Sequence, residues 1–189
     1  FLRGFDRALL VNLNDNVQLG LYNVAISISG YLAIFQTSIN NTFQPDIFEA
    51  VANNNKKKII IIIGGINVLN LIPIIIFIAF APFITKILTA GRFTDAYTYA
   101  RILALNNVSM TLAYTSMTSI FIAKGYTFLS MTSEVIGAIL SIVMFKIMIN
   151  KYNFYGAAWG QVISYFLIFI IGIILYFSYK KFFNKPIKK

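Results

Sequence analysis

The sequence contains neither cysteine nor histidine among its 189 residues. Disulfide bonds, thiolate nucleophiles, Cys/His metal sites and imidazole acid–base catalysis are therefore excluded, and we predict no cofactor. Charged residues are also scarce, at 12% of the chain, against roughly 25% in an ordinary soluble domain. So few charges cannot cover the surface of a soluble globule, but they suit a surface that faces lipid.

Hydrophobic residues make up 58% of the chain, and a membrane-spanning helix needs about 20 of them in succession. The segment 1–13 is too short to span and is interpreted as the end of a further helix, in which Asp6 and Arg7 pair locally. Pro45 is expected to end the first complete span, and Pro73 to kink the second. We predict an all-α integral membrane protein with five complete spans, at about 17–43, 59–83, 99–123, 126–148 and 157–179.

The net charge of +10 comes from basic residues at the ends of the apolar stretches. Nucleic-acid binding is not expected, because a binding patch would interleave basic and aromatic residues on a solvated face. If the spans alternate, Lys56–Lys58, Lys124 and the basic tail 180–189 fall on one side. Because basic loops favour the cytoplasm, that side is predicted to be cytoplasmic, in a bacterial or archaeal inner or plasma membrane.

Polar side chains recur at helical spacing within the spans, which predicts faces turned towards the bundle interior. Hydrogen bonds between neighbouring helices explain any single one of them, at about 0.6 kcal/mol each. Four such stripes in one small bundle are better explained by a hydrated central cavity. The amide residues proposed for this substrate or ion pathway are Asn41, Asn67, Asn70, Asn106, Asn107 and Gln161.

Two charged residues join these candidates. Glu134 lies about two turns into the fourth span, and carboxylates at membrane depth usually have a functional role. It is either a proton- or cation-coupling group that lines the pathway, or a structural partner for Lys124 or Lys146. Arg101, at the end of the third span, either binds a phosphate group or extends to the membrane interface.

No catalytic constellation is visible in the sequence. The chain has six carboxylates, of which Glu134 alone lies deep in a predicted span, and no glycine-rich phosphate loop follows a strand. An enzyme is therefore not expected.

Six short motifs occur along the chain in a consistent order and spacing: DRALL at 6–10, LGLYNVA at 19–25, FQPDIF at 43–48, APFI at 81–84, AGRF at 90–93 and GAAWG at 156–160. Together they resemble the C-terminal half of the polysaccharide (O-antigen type, Wzx-like) flippases. These flippases belong to the multidrug/oligosaccharidyl-lipid/polysaccharide exporter superfamily. The aromatic residue that usually precedes the glycine of the AGRF motif is absent here.

The resemblance implies a MATE-like fold, in which this chain forms most of one six-helix bundle and an N-terminal half of the same protein forms the other. It implies a transporter that moves undecaprenyl-pyrophosphate-linked oligosaccharide from the inner to the outer leaflet for cell-surface polysaccharide, such as the O-antigen of lipopolysaccharide. Alternating access coupled to H⁺ or Na⁺ is the family expectation.

Other functions fit the same pattern. A multidrug or lipid II exporter would share the fold, and an acidic or apolar cavity would favour cationic drugs over pyrophosphate-linked glycans. Arg92 and Arg101 favour the anionic cargo. An integral membrane enzyme of glycan assembly would need a large outer loop or a polar catalytic cluster, and a passive scaffold would not need Glu134 or four polar stripes.

Overall fold

The computed structural model describes residues 2–113 and 117–183, with side chains described for 4–113 and 117–179. Within these residues the chain is helical and contains no strand. The last residues of the predicted basic tail, 184–189, lie outside the described part. The helices are α1 (Leu2–Leu10), α2 (Asn16–Ala52), α3 (Lys56–Leu88), α4 (Tyr97–Ala113), α5 (Ser119–Ala123) and α6 (Thr127–Phe183), with 3₁₀ turns at Val11–Leu13 and Thr94–Ala96.

Local side chains fix where the two long N-terminal helices begin. The Asp15 carboxylate accepts a hydrogen bond from the Gln18 backbone N–H (3.0 Å), and the Asn55 side chain accepts one from the Lys58 N–H (3.0 Å). Both are N-caps, which satisfy amide groups that have no partner inside the helix. Asn54, in the turn between the helices, has a φ of 50°, which asparagine tolerates better than most residues.

Prolines lie inside both helices without ending them. The prediction that Pro45 ends the first span is wrong, because α2 continues to Ala52. Pro45 is exposed, and it has no N–H with which to donate to the carbonyl of Asn41, four residues earlier. α3 likewise runs through both Pro73 and Pro82 to Leu88.

Helix α6 is interrupted at Asn153, whose φ and ψ of 50° and −129° are not helical. The interruption separates a first limb (127–152) from a second limb (154–183). The sequence predicts two spans joined by a loop at 149–156, whereas the structure joins them through this one non-helical residue.

The two limbs of α6 pack against each other as an antiparallel hairpin. A methyl group at Gly156 would overlap the backbone carbonyl of Met148, and one at Gly160 would lie 2.8 Å from the Phe145 ring. At the far end the rings of Tyr126 and Tyr179 are 5.0 Å apart, whereas an unbroken helix would separate these residues by about 80 Å. The small residues Gly156 and Gly160 thus allow the two limbs to approach closely.

Helix α4 lies at the centre of the bundle and packs against α2, α3 and α6, while α1 packs on α6. The predicted span 99–123 contains most of α4, a π-helical turn at 117–118 and α5, while residues 114–116 lie outside the described part. The core between these helices is dominated by apolar side chains, including Tyr22, Leu103 and Phe145.

Large apolar side chains also cover the outside of the bundle. In the most apolar stretch of α3 only 17% of the residues are buried, and isoleucines such as Ile60 (71% exposed) and Ile75 (62% exposed) point outwards. Exposure of so large an apolar surface to water would be unfavourable. Within the described residues, α2, α3 and α6 are long and apolar enough to cross a membrane, which indicates a membrane-embedded protein.

Candidate functional site

One cavity, the Glu134 cavity, has a single charged side chain in its described lining and a volume of about 1060 Å³. It lies between α2, α5 and both limbs of α6. One part of its lining is polar, and another part is formed by branched apolar side chains. The polar lining includes Thr37, Asn40, Asn41, Gln44, Thr118 and Ser119, and the apolar lining includes Ile122, Val135, Ile139, Ile142 and Ile168.

Glu134 is the only charged side chain among the described residues that line this cavity. It is half-buried, and its Oε1 lies 3.5 Å from the Ser130 hydroxyl, which is a weak hydrogen bond. No ion pair to Glu134 occurs within the described side chains. Lys124, one of its predicted partners, donates instead to the Tyr176 hydroxyl (3.1 Å) and lies over that ring.

The predicted asparagines of the first two spans differ in whether they reach this cavity. Asn41 lines it directly. Asn70 is buried and its Nδ2 lies 3.5 Å from the Oδ1 of Asn40, another lining residue. Asn67 is half-buried and donates to the Ile63 carbonyl of its own helix (2.8 Å), and it is not among the lining residues described.

A second polar region, the Asp6 cluster, consists of Asp6, Tyr22, Asn106 and Gln161. Asp6 is fully buried, and its Oδ2 accepts hydrogen bonds from the Tyr22 hydroxyl (2.7 Å) and the Gln161 Nε2 (2.7 Å). Gln161 Oε1 in turn accepts from the Asn106 Nδ2 (3.3 Å). The prediction that Asp6 pairs locally with Arg7 is wrong, because the Asp6 carboxylate accepts hydrogen bonds from other helices while Arg7 is exposed.

Asn107, beside this cluster, belongs to the contact between α2 and α4. Its backbone carbonyl accepts from the Nε2 of the buried Gln36 (3.0 Å), which also donates to the Thr111 hydroxyl (2.7 Å). Asn107 Nδ2 donates to the Leu103 carbonyl (3.3 Å). A small cavity of about 210 Å³ adjoins Asp6, Asn106, Asn107 and Gln161.

Four buried amide oxygens have no hydrogen-bond donor among the described residues: Asn23 Oδ1, Gln36 Oε1, Asn70 Oδ1 and Asn106 Oδ1. Buried polar groups are normally paired, with protein or with ordered water. The interior of this bundle therefore offers acceptor sites that suit water or the hydroxyl groups of a ligand.

Arg101 is in neither polar region. Its Nε donates to the Ile78 backbone carbonyl (3.1 Å), and its guanidinium lies 5.2 Å from the centre of the Tyr97 ring. Ile78 is the residue whose carbonyl would accept from residue 82 in a regular helix, and Pro82 has no N–H to donate. Arg101 thus pairs a carbonyl that Pro82 leaves free, which neither alternative for this arginine anticipated.

The predicted pathway residues are therefore divided between two regions. Glu134 and Asn41 share the Glu134 cavity, with Asn70 behind it, whereas Asn106, Asn107 and Gln161 surround Asp6. Sequence reasoning missed Asp6 and Gln36. Gln36 has a signal in the sequence, because a long amide side chain within an apolar span indicates a buried polar contact. Asp6 has none, because the segment 1–13 is too short to show a complete helical pattern.

A search for relatives of the chain returned no matching family model, no similar curated protein and no similar solved structure.

Proposed function

We propose that this chain is part of a membrane transporter with a MATE-like bundle, and that it moves lipid-linked oligosaccharide from the inner to the outer leaflet. The observation that carries the proposal is the mixed lining of the Glu134 cavity. Amides and hydroxyls, most of them from α2 (the polar wall), line it together with isoleucine and valine side chains of α5 and α6 (the apolar wall). This lining suits a cargo that is itself part sugar and part hydrocarbon.

The polar wall matches the chemistry of a glycan. Asn40, Asn41 and Gln44 present amide groups that both donate and accept hydrogen bonds, as sugar hydroxyls do. The volume of about 1060 Å³ is at the upper end of ordinary small-molecule sites, which leaves space for a few sugar rings. The apolar wall would contact the hydrocarbon next to them.

Glu134 is the residue we assign to ion coupling. An ionised carboxylate without a counter-charge beside an apolar wall is unfavourable at membrane depth. Binding of H⁺ or Na⁺ removes this penalty and so favours a conformation in which the cavity is closed. A ligand changes such an equilibrium only by its difference in affinity between the two states, and the charge of Glu134 supplies that difference.

We further propose that the chain crosses a plasma membrane five times, with the lysine-bearing ends cytoplasmic. The hairpin of α6 supports this topology, because it returns Tyr179 to the neighbourhood of Tyr126. The turn with Lys124 then lies at the same end as the C-terminal end of α6. Basic residues at that end favour the cytoplasm.

The test is a translocation assay on the intact protein in proteoliposomes, with a fluorescent lipid-linked oligosaccharide as cargo. We expect Glu134→Gln to lower the initial rate at least about tenfold and to abolish its dependence on an imposed ion gradient. The matched control is Asp46→Asn, which removes an exposed carboxylate of α2 outside the cavity lining. Unaltered transport in Glu134→Gln, at equal reconstitution, would refute the role of this residue.

A second cargo is favoured by the charge of the same cavity. Its described lining contains one acid and no base, and a carboxylate beside apolar walls suits an amphiphilic cation. An exporter of cationic drugs would extrude a cationic dye in the same vesicles and would leave the lipid-linked glycan untouched. The two cargoes are thus separated by one experiment.

A further inference from the structure

A groove on the side of the bundle, the Arg92 groove, is distinct from both polar regions. It has a volume of about 580 Å³ and runs between α2 and the loop that follows α3. The loop contributes Thr89, Arg92 and Phe93, and α2 contributes Asn23 and Tyr31. None of these residues lines the Glu134 cavity or the small cavity beside Asp6.

The loop holds Arg92 in a defined place. The Arg92 backbone N–H donates to the Thr89 carbonyl (3.0 Å), and Gly91 N–H donates to the Lys86 carbonyl (2.9 Å). The Phe93 N–H lies 3.4 Å from the Thr89 hydroxyl. Within the described part of the chain Arg92 forms no ion pair, so its guanidinium remains able to bind an anion.

The α2 side of the groove carries an acceptor without a donor. Asn23 Oδ1 is buried and has no hydrogen-bond partner among the described residues. A buried unpaired acceptor is unfavourable unless a ligand or water donates to it. The groove therefore offers a cation for an anionic group and, separately, an acceptor for a hydroxyl group.

The position of the groove indicates its occupant. It lies where α3 ends, which is the level of the lipid headgroups for a membrane-crossing helix. Two aromatic side chains flank it, Tyr31 at 64% and Phe93 at 39% exposure, as is typical of the membrane interface. We propose that the Arg92 groove binds the headgroup of an anionic phospholipid that carries a free hydroxyl, of the phosphatidylglycerol type.

In this assignment the Arg92 guanidinium donates to the lipid phosphate, a geometry for which arginine is well suited. The alcohol of the headgroup donates to Asn23 Oδ1, and the acyl chains extend along the apolar outside of α2. The site does not depend on the cargo of the Glu134 cavity, so either proposal can fail without the other.

Native mass spectrometry of the intact protein in detergent tests the site with three lipids. They are phosphatidylglycerol, phosphatidylmethanol, which is anionic but has no headgroup hydroxyl, and zwitterionic phosphatidylcholine. We expect phosphatidylglycerol to bind about tenfold more tightly than phosphatidylcholine, because a charge-assisted hydrogen bond is gained. Phosphatidylmethanol should fall between them.

Two variants and a control complete the test. Arg92→Gln should remove most of the preference for both anionic lipids, whereas Lys86→Gln, an exposed cation outside the groove lining, should retain it. Asn23→Leu should reduce phosphatidylglycerol to the affinity of phosphatidylmethanol. Equal losses in the Arg92 and Lys86 variants, or equal binding of the two anionic lipids to the unmodified protein, would overturn the assignment.

Discussion

The Asp6 carboxylate is held by hydrogen bonds from Tyr22 and Gln161, on two other helices. No lysine or arginine forms an ion pair with it among the side chains described. A fully buried carboxylate without a counter-charge requires such donors, because removal of a charge from water is costly. The cluster therefore links α1, α2 and the second limb of α6 through one residue.

We expect Tyr22→Phe to lower the free energy of unfolding in detergent by about 1–2 kcal/mol. The substitution removes one donor to Asp6 and retains the ring, which packs at 5.9 Å from Tyr99. The magnitude lies between the values for bonds to charged groups in water and those between membrane helices. The measurement is reversible unfolding of the purified protein by SDS.

Tyr31→Phe is the control for this prediction. Tyr31 lies on the same helix, is exposed, and makes no described hydrogen bond, so its variant should unfold as the unmodified protein does. If both variants unfold alike, the hydrogen bond to Asp6 contributes nothing measurable.

Glu134 and Asp6 differ in how far the sequence could predict them. The place of Glu134 on a helix follows from its own apolar segment, which the sequence predicts and the first limb of α6 contains. The burial of Asp6 depends on residues 16 and 155 positions away, and a nine-residue helix carries little pattern of its own. Sequence therefore predicts which helix carries a carboxylate better than it predicts the partners of that carboxylate on other helices.

At the scale of the element, Pro82 and Arg101 form one unit across α3 and α4. The proline leaves the Ile78 carbonyl without its helical donor, and Arg101 donates to it (3.1 Å). Helical periodicity identified both spans but not this pairing, because a proline indicates which carbonyl is freed and not which side chain reaches it. The same limit applies to Pro45, because a proline inside a helix has the same local sequence signal as one that ends a helix.

A double-mutant cycle tests this unit. Arg101→Met should destabilise the protein by about 1–2 kcal/mol, because the freed carbonyl of Ile78 loses its donor. Pro82→Ala restores a backbone N–H to α3, so Arg101→Met should cost about 1 kcal/mol less in that background. The contact of Arg101 with Tyr97 is present in both backgrounds and cancels. Strictly additive unfolding free energies would show that Ile78 does not depend on Arg101.

At the scale of the whole molecule, large apolar side chains cover the outside of the bundle, which is the reverse of a soluble protein's surface, while the core combines apolar side chains with two polar regions. Composition alone predicts the apolar outer surface, because a chain with few charges and long apolar stretches is suited to face lipid and not water. The division of the polar residues into two regions was not predictable from periodicity. Each stripe indicates a face of one helix, and only the packing of α4 between its neighbours determines which faces meet.

The absence of cysteine from this chain makes its topology directly measurable by single-cysteine labelling in intact cells. Asn54→Cys and Lys124→Cys should react with a membrane-impermeant maleimide only after permeabilisation, because the basic ends are expected in the cytoplasm. Asp95→Cys and Tyr152→Cys, both at exposed positions, should react without it.

Tyr152 is decisive for α6: in a hairpin it lies at the turn beside Asn153 and is labelled from outside. An unbroken membrane-crossing α6 would bury it at the middle of the bilayer, and its failure to react even after permeabilisation would contradict the five-span topology.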